Sequence, residues 1–174
     1  MTTIPSSALL GISAGFTNLT ETNASGTSVS FTGIPSGTKE VVVLFESVSC
    51  GTDGDIYIQL GTSSGLEASG YKAAGGYVLQ VSTTGVTLSS SSFILRTEGT
   101  PNWSVGGALN LFLKDVANNT WIGTVGGRHG NHASNDRQAM VGGGEKSLSS
   151  VLTQLSISPQ NGSFDGGSMN VMYR

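Results

Sequence analysis

Short apolar stretches that alternate with polar residues recur along this chain, and this period-two pattern constrains its fold more than any other feature. Val29 and Phe31 alternate with Ser and Thr, and the same spacing returns in 56–60 and 109–113. Such alternation is typical of a β-strand with one buried face. Turn signals rich in Gly and Asn separate about nine or ten such stretches at intervals of about 8–15 residues. The sequence therefore predicts an all-β antiparallel sandwich or barrel.

One stretch departs from the alternation. Val41-Val42-Val43-Leu44-Phe45 is continuously apolar, which predicts a strand buried on both faces. No segment shows a sustained helical pattern with caps; the best helix candidate, Lys146 to Leu155, is dominated by Ser and Thr. The chain also lacks an internal repeat, which argues against a propeller or a β-helix.

Composition narrows the classes of partner. The chain has 174 residues, which suits one domain, and it contains 26 Gly and only 11% charged residues. A net charge of -3 without a basic run disfavours binding to nucleic acid. No stretch approaches the roughly 20 apolar residues of a membrane helix, so we expect no membrane insertion. Cys50 is the single cysteine, so we expect no internal disulfide and read it as a small apolar residue at a strand end.

The first 26 residues differ from the rest, and we divide the chain into 1–26, an N-terminal arm or first strand, and 27–174, the β-sandwich domain. The arm has one charge, Glu21, and scattered apolar residues that include Ile4, Leu9, Leu10 and Phe16. One interpretation is a flexible leader or a first strand with a turn. The other is an arm whose apolar side chains pack on a neighbouring subunit or a partner surface. Since Met1 to Phe16 holds no Lys or Arg, we expect no secretory signal, and we expect synthesis in a cytosol.

The two histidines lie close together in a polar stretch. His129 and His132 follow Arg128 and precede Arg137. They could bind a metal ion, but zinc sites need three or four converging ligands. We therefore favour an exposed polar loop that forms hydrogen bonds, with no metal and no cofactor. A third hypothesis places an ion between His side chains repeated around a threefold axis.

The sequence contains no convincing catalytic motif. Gly142 to Ser147 resembles a phosphate-binding loop but lacks the four-residue gap and the Gly directly before Lys146. No nucleophile elbow occurs, and acidic residues are too scattered for a glycosidase pair. We therefore predict that the protein is not an enzyme.

Two further groups have a functional and a structural interpretation. Trp103, with Trp121 and the tyrosines, could stack on sugar rings, although such aromatic residues more often fill the core or rim of a sandwich. Asp53 and Asp55 could bind calcium, although a turn in which Asp bonds its own backbone fits the spacing better.

Several segments in a fixed order resemble a recurrent surface domain of tailed-bacteriophage virions. The segments are Gly33–Ser36, Val41–Phe45, Ser47–Ser49, Ile56–Gly61 and Gly70–Tyr71, followed near the end by Phe164, Asp165, Gly167, Asn170, Val171 and Tyr173. The resemblance runs from near Ser28 to the end of the sequence. One departure is Gly37 to Glu40, where related domains often carry Trp and a basic residue.

The resemblance implies a jelly-roll-like domain, usually a homotrimer, found on phage heads and tail-fibre tips, without shared catalytic residues. A fibre needs a shaft, and the 26-residue leader shows no heptads. We therefore expect a trimeric head decoration, or cement, protein on the virion surface that binds the major capsid protein. The alternative is a tail-fibre or receptor-binding tip that recognises host surface glycan near Trp103 or through 128–137. A lectin or carbohydrate-active enzyme unrelated to phage is a third hypothesis.

Overall fold

The computed structural model of the chain describes residues 15–78, 85–99, 101, 103–131 and 136–174, and for 97–99 and 136–137 it describes the backbone alone. These residues form fourteen strands. The strands are β1 (Thr17–Asn18), β2 (Thr22–Asn23), β3 (Val29–Thr32), β4 (Glu40–Cys50), β5 (Gly54–Thr62), β6 (Gly65–Leu66), β7 (Tyr71–Val78), β8 (Val86–Ser89), β9 (Phe93–Gly99), β10 (Ser104–Asp115), β11 (Thr120–Asn131), β12 (Asp136–Ser147), β13 (Gln154–Pro159) and β14 (Phe164–Tyr173).

The strands form two antiparallel sheets. The nine-stranded sheet has the order β1-β14-β4-β10-β11-β12-β7-β8, with β2 also paired to β14. The five-stranded sheet has the order β3-β13-β5-β6, with β9 also paired to β5. The predicted all-β sandwich is confirmed, whereas jelly-roll connectivity stays a prediction. The helix candidate was wrong, because β12 continues to Ser147 and β13 begins at Gln154 without a helix between them.

The core lies between the two sheets and follows the alternation of the strands. In the nine-stranded sheet, Val41 and Val43 of β4 and Leu109 of β10 are fully buried. From the other sheet, Ile58 of β5 and Leu155 of β13 are equally buried. In these strands, alternate side chains point into one shared apolar layer.

Glycines line the part of the core where β9 packs against the larger sheet. A Cβ atom on Gly75 of β7 would lie 2.8 Å from the Ile94 side chain, and one on Gly123 of β11 would lie 2.8 Å from Phe93. Phe93, Ile94 and Leu95 are all buried. The glycines therefore provide the room that three large consecutive side chains of β9 occupy.

The described part of the arm follows the C-terminal strand of the same chain. β1 pairs with β14 through Thr17 and Tyr173, and the Leu19 amide donates to the Val171 carbonyl at 2.7 Å. Ala24 is buried against the core. Residues 15–26 therefore extend the edge of the nine-stranded sheet, and Ile4, Leu9 and Leu10 lie outside the described residues.

A buried ion pair joins the two sheets near β6. Lys146 of β12 is 5% exposed, and its Nζ donates to Glu67 just after β6. The Ser149 amide and hydroxyl donate to the other Glu67 oxygen at 2.9 and 2.6 Å. Partial burial opposes ionisation of Glu67, but the hydrogen bonds from Lys146 and Ser149 prevail and hold its pKa below the ordinary value of 4.5.

We predict that Glu67→Gln lowers the free energy of unfolding at pH 7 by about 2 kcal/mol, because the buried Lys146 ammonium loses its charged partner. The pKa of Glu67 is lower in the folded state, so its stabilisation is present above the unfolded-state pKa. It is lost as the pH falls through the folded-state value. Urea denaturation of both proteins at pH 7 and pH 3 should show a difference that narrows at pH 3. A difference of equal size at both values would contradict the role of the charge.

Candidate interaction surface

The side chains of the nine-stranded sheet that point away from the core form a broad surface, which we call the outer face. These residues belong to β4, β7, β8, β10, β11, β12 and β14: Val42, Leu44, Ala74, Gly76, Val78, Val86, Leu88, Ala108, Asn110, Phe112, Ile122, Thr124, Gly126, Ala139, Val141, Gly143, Asn170 and Met172. These residues are uncharged, and the register places charged residues at both ends of the same face, Glu46 and Arg128 at one end and Glu40, Lys72 and Glu145 at the other. They point outward because their neighbours along each strand, such as Val43 and Leu109, fill the core.

Large apolar side chains on the outer face are exposed to solvent. The exposed fraction is 78% for Leu88, 65% for Val86 and 51% for Val141, and Leu44 and Phe112 are also exposed. The strand register places Val86 and Val141 on either side of Gly76. Contiguous apolar patches of this kind on a soluble protein mark sites of interaction.

Small residues leave two shallow grooves between the exposed side chains. One groove of about 250 Å³ is lined by Ala74, Gly76, Val86 and Val141. Its neighbour, of about 700 Å³, lies beside Leu88 and Gly143. The outer face therefore offers both apolar protrusions and depressions into which side chains of a partner can pack.

Charged pairs lie at the margin of the outer face, at one end of its strands. Lys72 and Glu145 are 2.7 Å apart, and Arg174 and Glu40 are 2.6 Å apart. The hydrogen bond between Lys72 and Glu145 raises the pKa of Lys72 and lowers that of Glu145, and the two side chains are 80% and 39% exposed. An apolar centre with a charged margin is the anatomy of a protein–protein interface.

The predicted polar loop around His129 was wrong for residues 128–131. This stretch belongs to β11 and pairs with both β10 and β12. His129 is 1% exposed, with ring centroids of Trp103 at 4.8 Å and Tyr77 at 5.9 Å. Polar sequence suggested a loop, but two neighbouring strands and two aromatic rings enclose the imidazole.

The remaining predicted site residues do not form one site. Trp103 is half-buried beside His129, and Arg128 donates to the Ser47 hydroxyl at 3.2 Å, so these three lie at one end of β10 and β11. Phe16 lies at the opposite end, with its ring 4.7 Å from the Arg174 guanidinium.

Two of the polar residues predicted for the site, His132 and Arg137, lie wholly or partly outside the described part of the chain. His132 is not among the described residues, and of Arg137 only the backbone is described, in β12 opposite Gly130. Among the described residues, no group of three or more His, Cys, Asp or Glu is placed to hold a metal ion. The hypothesis of an ion on a threefold axis stays a prediction.

The proposed aromatic surface and the acidic turn also differ from expectation. Trp121 and Tyr71 are buried, and Tyr71 packs edge-on against Phe93, so these aromatic residues belong to the core. Asp55 is buried and accepts a hydrogen bond from the Tyr57 hydroxyl at 3.1 Å. The stretch that contains Asp53 crosses from one sheet to the other and does not close a hairpin.

Sequence reasoning missed a buried arginine. Arg96 of β9 is 1% exposed and donates to the Gly54 carbonyl through Nε and Nη2, at 3.2 and 2.9 Å, and to the Trp103 carbonyl at 3.1 Å. Burial lowers the pKa of the guanidinium, and nearby Cys50 and Asp55 oppose this effect. In the sequence, its position directly after the apolar run Phe93-Ile94-Leu95 could have indicated that Arg96 is buried. Arg96 thereby fixes the backbone at Trp103, and the Trp103 ring packs against His129.

Comparison of the chain with protein-family models, curated proteins and solved structures finds no match. Within the described ranges, no helix is long and apolar enough to cross a membrane. Function therefore has to be argued from the outer face and from the resemblance in the sequence.

We predict that His129→Ala lowers the free energy of unfolding by about 1–3 kcal/mol, because it removes a buried ring packed against Trp103 and Tyr77. Chemical denaturation measures the change. Thr124→Ala is the matched control, since Thr124 is exposed on the same strand and should change stability by less than about 0.5 kcal/mol. Equal stability of His129→Ala and the control would contradict the structural role of His129.

Proposed function

We propose that this chain is a non-enzymatic structural protein of a tailed-bacteriophage virion, which forms homotrimers and cements the capsid exterior by binding the major capsid protein. The observation that carries the proposal is the exposed apolar part of the outer face, with charged residues at the two ends of its strands. The jelly-roll-like fold, the trimer and the position on the virion come from the resemblance carried by 33–71 and 164–173.

The size of the outer face suits the apolar centre of an assembly contact. Seven neighbouring strands about 4.8 Å apart, each of which contributes about 15 Å of length, give a face of about 400 Å². A standard protein–protein interface takes about 800 Å² from each partner. The outer face can therefore provide about half of one partner's share of an interface of ordinary size.

Exposed apolar residues on the outer face favour assembly. Leu44 lies within the continuous run Val41 to Phe45, yet it is 38% exposed, and Phe112 on the neighbouring strand is 45% exposed. Covering such side chains contributes roughly 25 cal/mol for each Å² removed from water. We assign this cover to a second subunit, so that the outer face joins the subunits of the trimer, and the three copies together add their contacts to the shell.

We predict that Val141→Asp weakens self-association by at least about 100-fold in Kd, because a carboxylate would be buried in an apolar contact. Light scattering coupled to size-exclusion chromatography, over a range of concentrations, should show trimers for the unaltered protein and monomers for the variant. Leu66→Asp is the control, since Leu66 is 42% exposed on β6 of the other sheet and should leave the trimer intact.

Circular dichroism would verify that both variants keep their strands. The proposal that the outer face joins subunits fails if Val141→Asp has the mass of the unaltered protein. It also fails if the unaltered protein is monomeric at every concentration.

The position on the virion requires a separate measurement. We predict that gold-labelled antibody against this protein decorates the heads of intact virions evenly. Label confined to the tail would instead establish the receptor-binding alternative, and the end of the sandwich that carries Trp103 and Arg128 would become the candidate glycan site. Virions without label would contradict both.

A further inference from the structure

The outer face has two unlike halves. On the half that contains β4 and β10, the Leu44 side chain projects from the sheet and is 38% exposed. On the half that contains β12, β7 and β8, Ala74 and Gly76 line the groove of about 250 Å³ that lies between Val141 and Val86. One half therefore protrudes where the other is hollow.

A closed ring of three subunits requires two different patches on each subunit. Its contacts are heterologous, because each subunit meets one neighbour with one patch and the other neighbour with a second patch. Rotation about an axis parallel to the strands keeps the direction of every strand. Four antiparallel pairings separate β4 from β7, so these two strands run in the same direction, both within one sheet and between subunits of such a ring.

The register across the sheet aligns the outward positions of β4 with those of β7. The pairings through β10, β11 and β12 place three successive outward residues of β4 in the same rows as three of β7. The pairs are Leu44 with Gly76, Val42 with Ala74, and Glu40 with Lys72. In all three rows, β4 therefore carries a group that complements the residue on β7.

Shape and charge both match when β4 of one subunit stacks on β7 of the next in this register. The Leu44 side chain enters the groove, and the Glu40 carboxylate faces the Lys72 ammonium. Glu40 already bonds to Arg174 at 2.6 Å, and Lys72 bonds to Glu145 at 2.7 Å. Four charges of alternating sign then meet at the margin of an apolar contact, which favours this alignment over others.

The neighbouring registers lack this match. A shift of two residues in one direction places Glu46 against Gly76, and a shift of two residues in the other places Glu40 against Ala74. Each shift puts a carboxylate on the apolar floor of the groove without a charged partner, which is costly. The sheet therefore specifies one register for the stacking of β4 on β7.

We propose that the subunits of the trimer join through a heterologous contact in which β4 of one subunit packs on β7 of the next, with Leu44 in the groove and Glu40 opposite Lys72. The occupant of the groove is thus a second copy of this chain. The inference rests on the proposed function, which supplies the trimer, and it identifies the two halves of the outer face that meet.

Chemical cross-linking of the full chain tests which halves meet. In a Cys50→Ala background, Leu44→Cys with Ala74→Cys places one thiol on each half. Within one chain β4 and β7 are four strand spacings, about 19 Å, apart, so a bismaleimide with a reach of about 8 Å links these positions only between subunits. We expect covalent trimers to form at least about tenfold faster than with the control pair Leu44→Cys and Leu66→Cys, since Leu66 is 42% exposed on the other sheet.

Each result of the cross-linking decides the proposal. Covalent trimers as the largest product, with the link between positions 44 and 74 identified by mass, support it. Covalent dimers as the largest product at completion overturn it, because a two-fold contact then joins the subunits. Equal rates for the two pairs also overturn it. If light scattering shows trimers of the unaltered protein in that case, this contact alone fails, whereas a monomeric unaltered protein means that the proposed function fails as well.

Charge reversal tests the register independently. Glu40→Lys and Lys72→Glu each place like charges opposite one another between subunits, and each should raise the Kd of self-association at least about threefold. The variant with both reversals should recover the original Kd to within about twofold. It restores neither the bond to Arg174 nor the bond to Glu145, so recovery reports the contact between subunits. A double variant that associates no more tightly than the single variants would overturn the register.

Discussion

The close approach of β9 to the nine-stranded sheet is the contact on which the two-layer structure depends. β9 pairs with β5 in the smaller sheet and presses Phe93 and Ile94 onto positions in the larger sheet that carry only hydrogen. Side chains at Gly75 or Gly123 would hold the sheets apart at this point. In this arrangement the five-stranded sheet covers one face of the nine-stranded sheet. The other face stays open, and its apolar residues have no cover within the described chain.

This constraint explains why the fold class was predictable and the connectivity was not. Alternation is a local property, so the stretches around Phe31, Ile58 and Leu111 identified strands correctly. Strand pairing, in contrast, joins segments that are far apart in the sequence. β14 lies against β4, and β13 lies between β3 and β5, across about ninety residues of chain or more. No local signal reports such neighbours.

The residues near the candidate site were misread for a related reason. The stretch around His129 has the composition of a loop, and its burial comes from Trp103, which precedes β10, and from Tyr77 of β7. Lys146 likewise became a buried residue only through Glu67, which is distant in the chain. Burial of a polar side chain depends on the partner that satisfies it, and that partner is not visible from its own segment. The continuous run Val41 to Phe45, in contrast, did carry information about the surface. It predicts a strand covered on both faces, and the described part of the chain leaves Leu44 exposed on one of them.

Two uncovered apolar regions of the described chain differ in shape and therefore in what can cover them. The outer face is broad and shallow, which suits a large rigid surface such as another subunit or a shell. The pocket lined by Pro35, Leu113 and Trp121 has a volume of only about 100 Å³ and holds no more than one small side chain. The pocket lies at the strand ends near Lys39, whereas the outer face extends along the strand lengths. A subunit bound on the outer face would therefore leave the pocket accessible, so the outer face is the region whose exposure assembly has to remove.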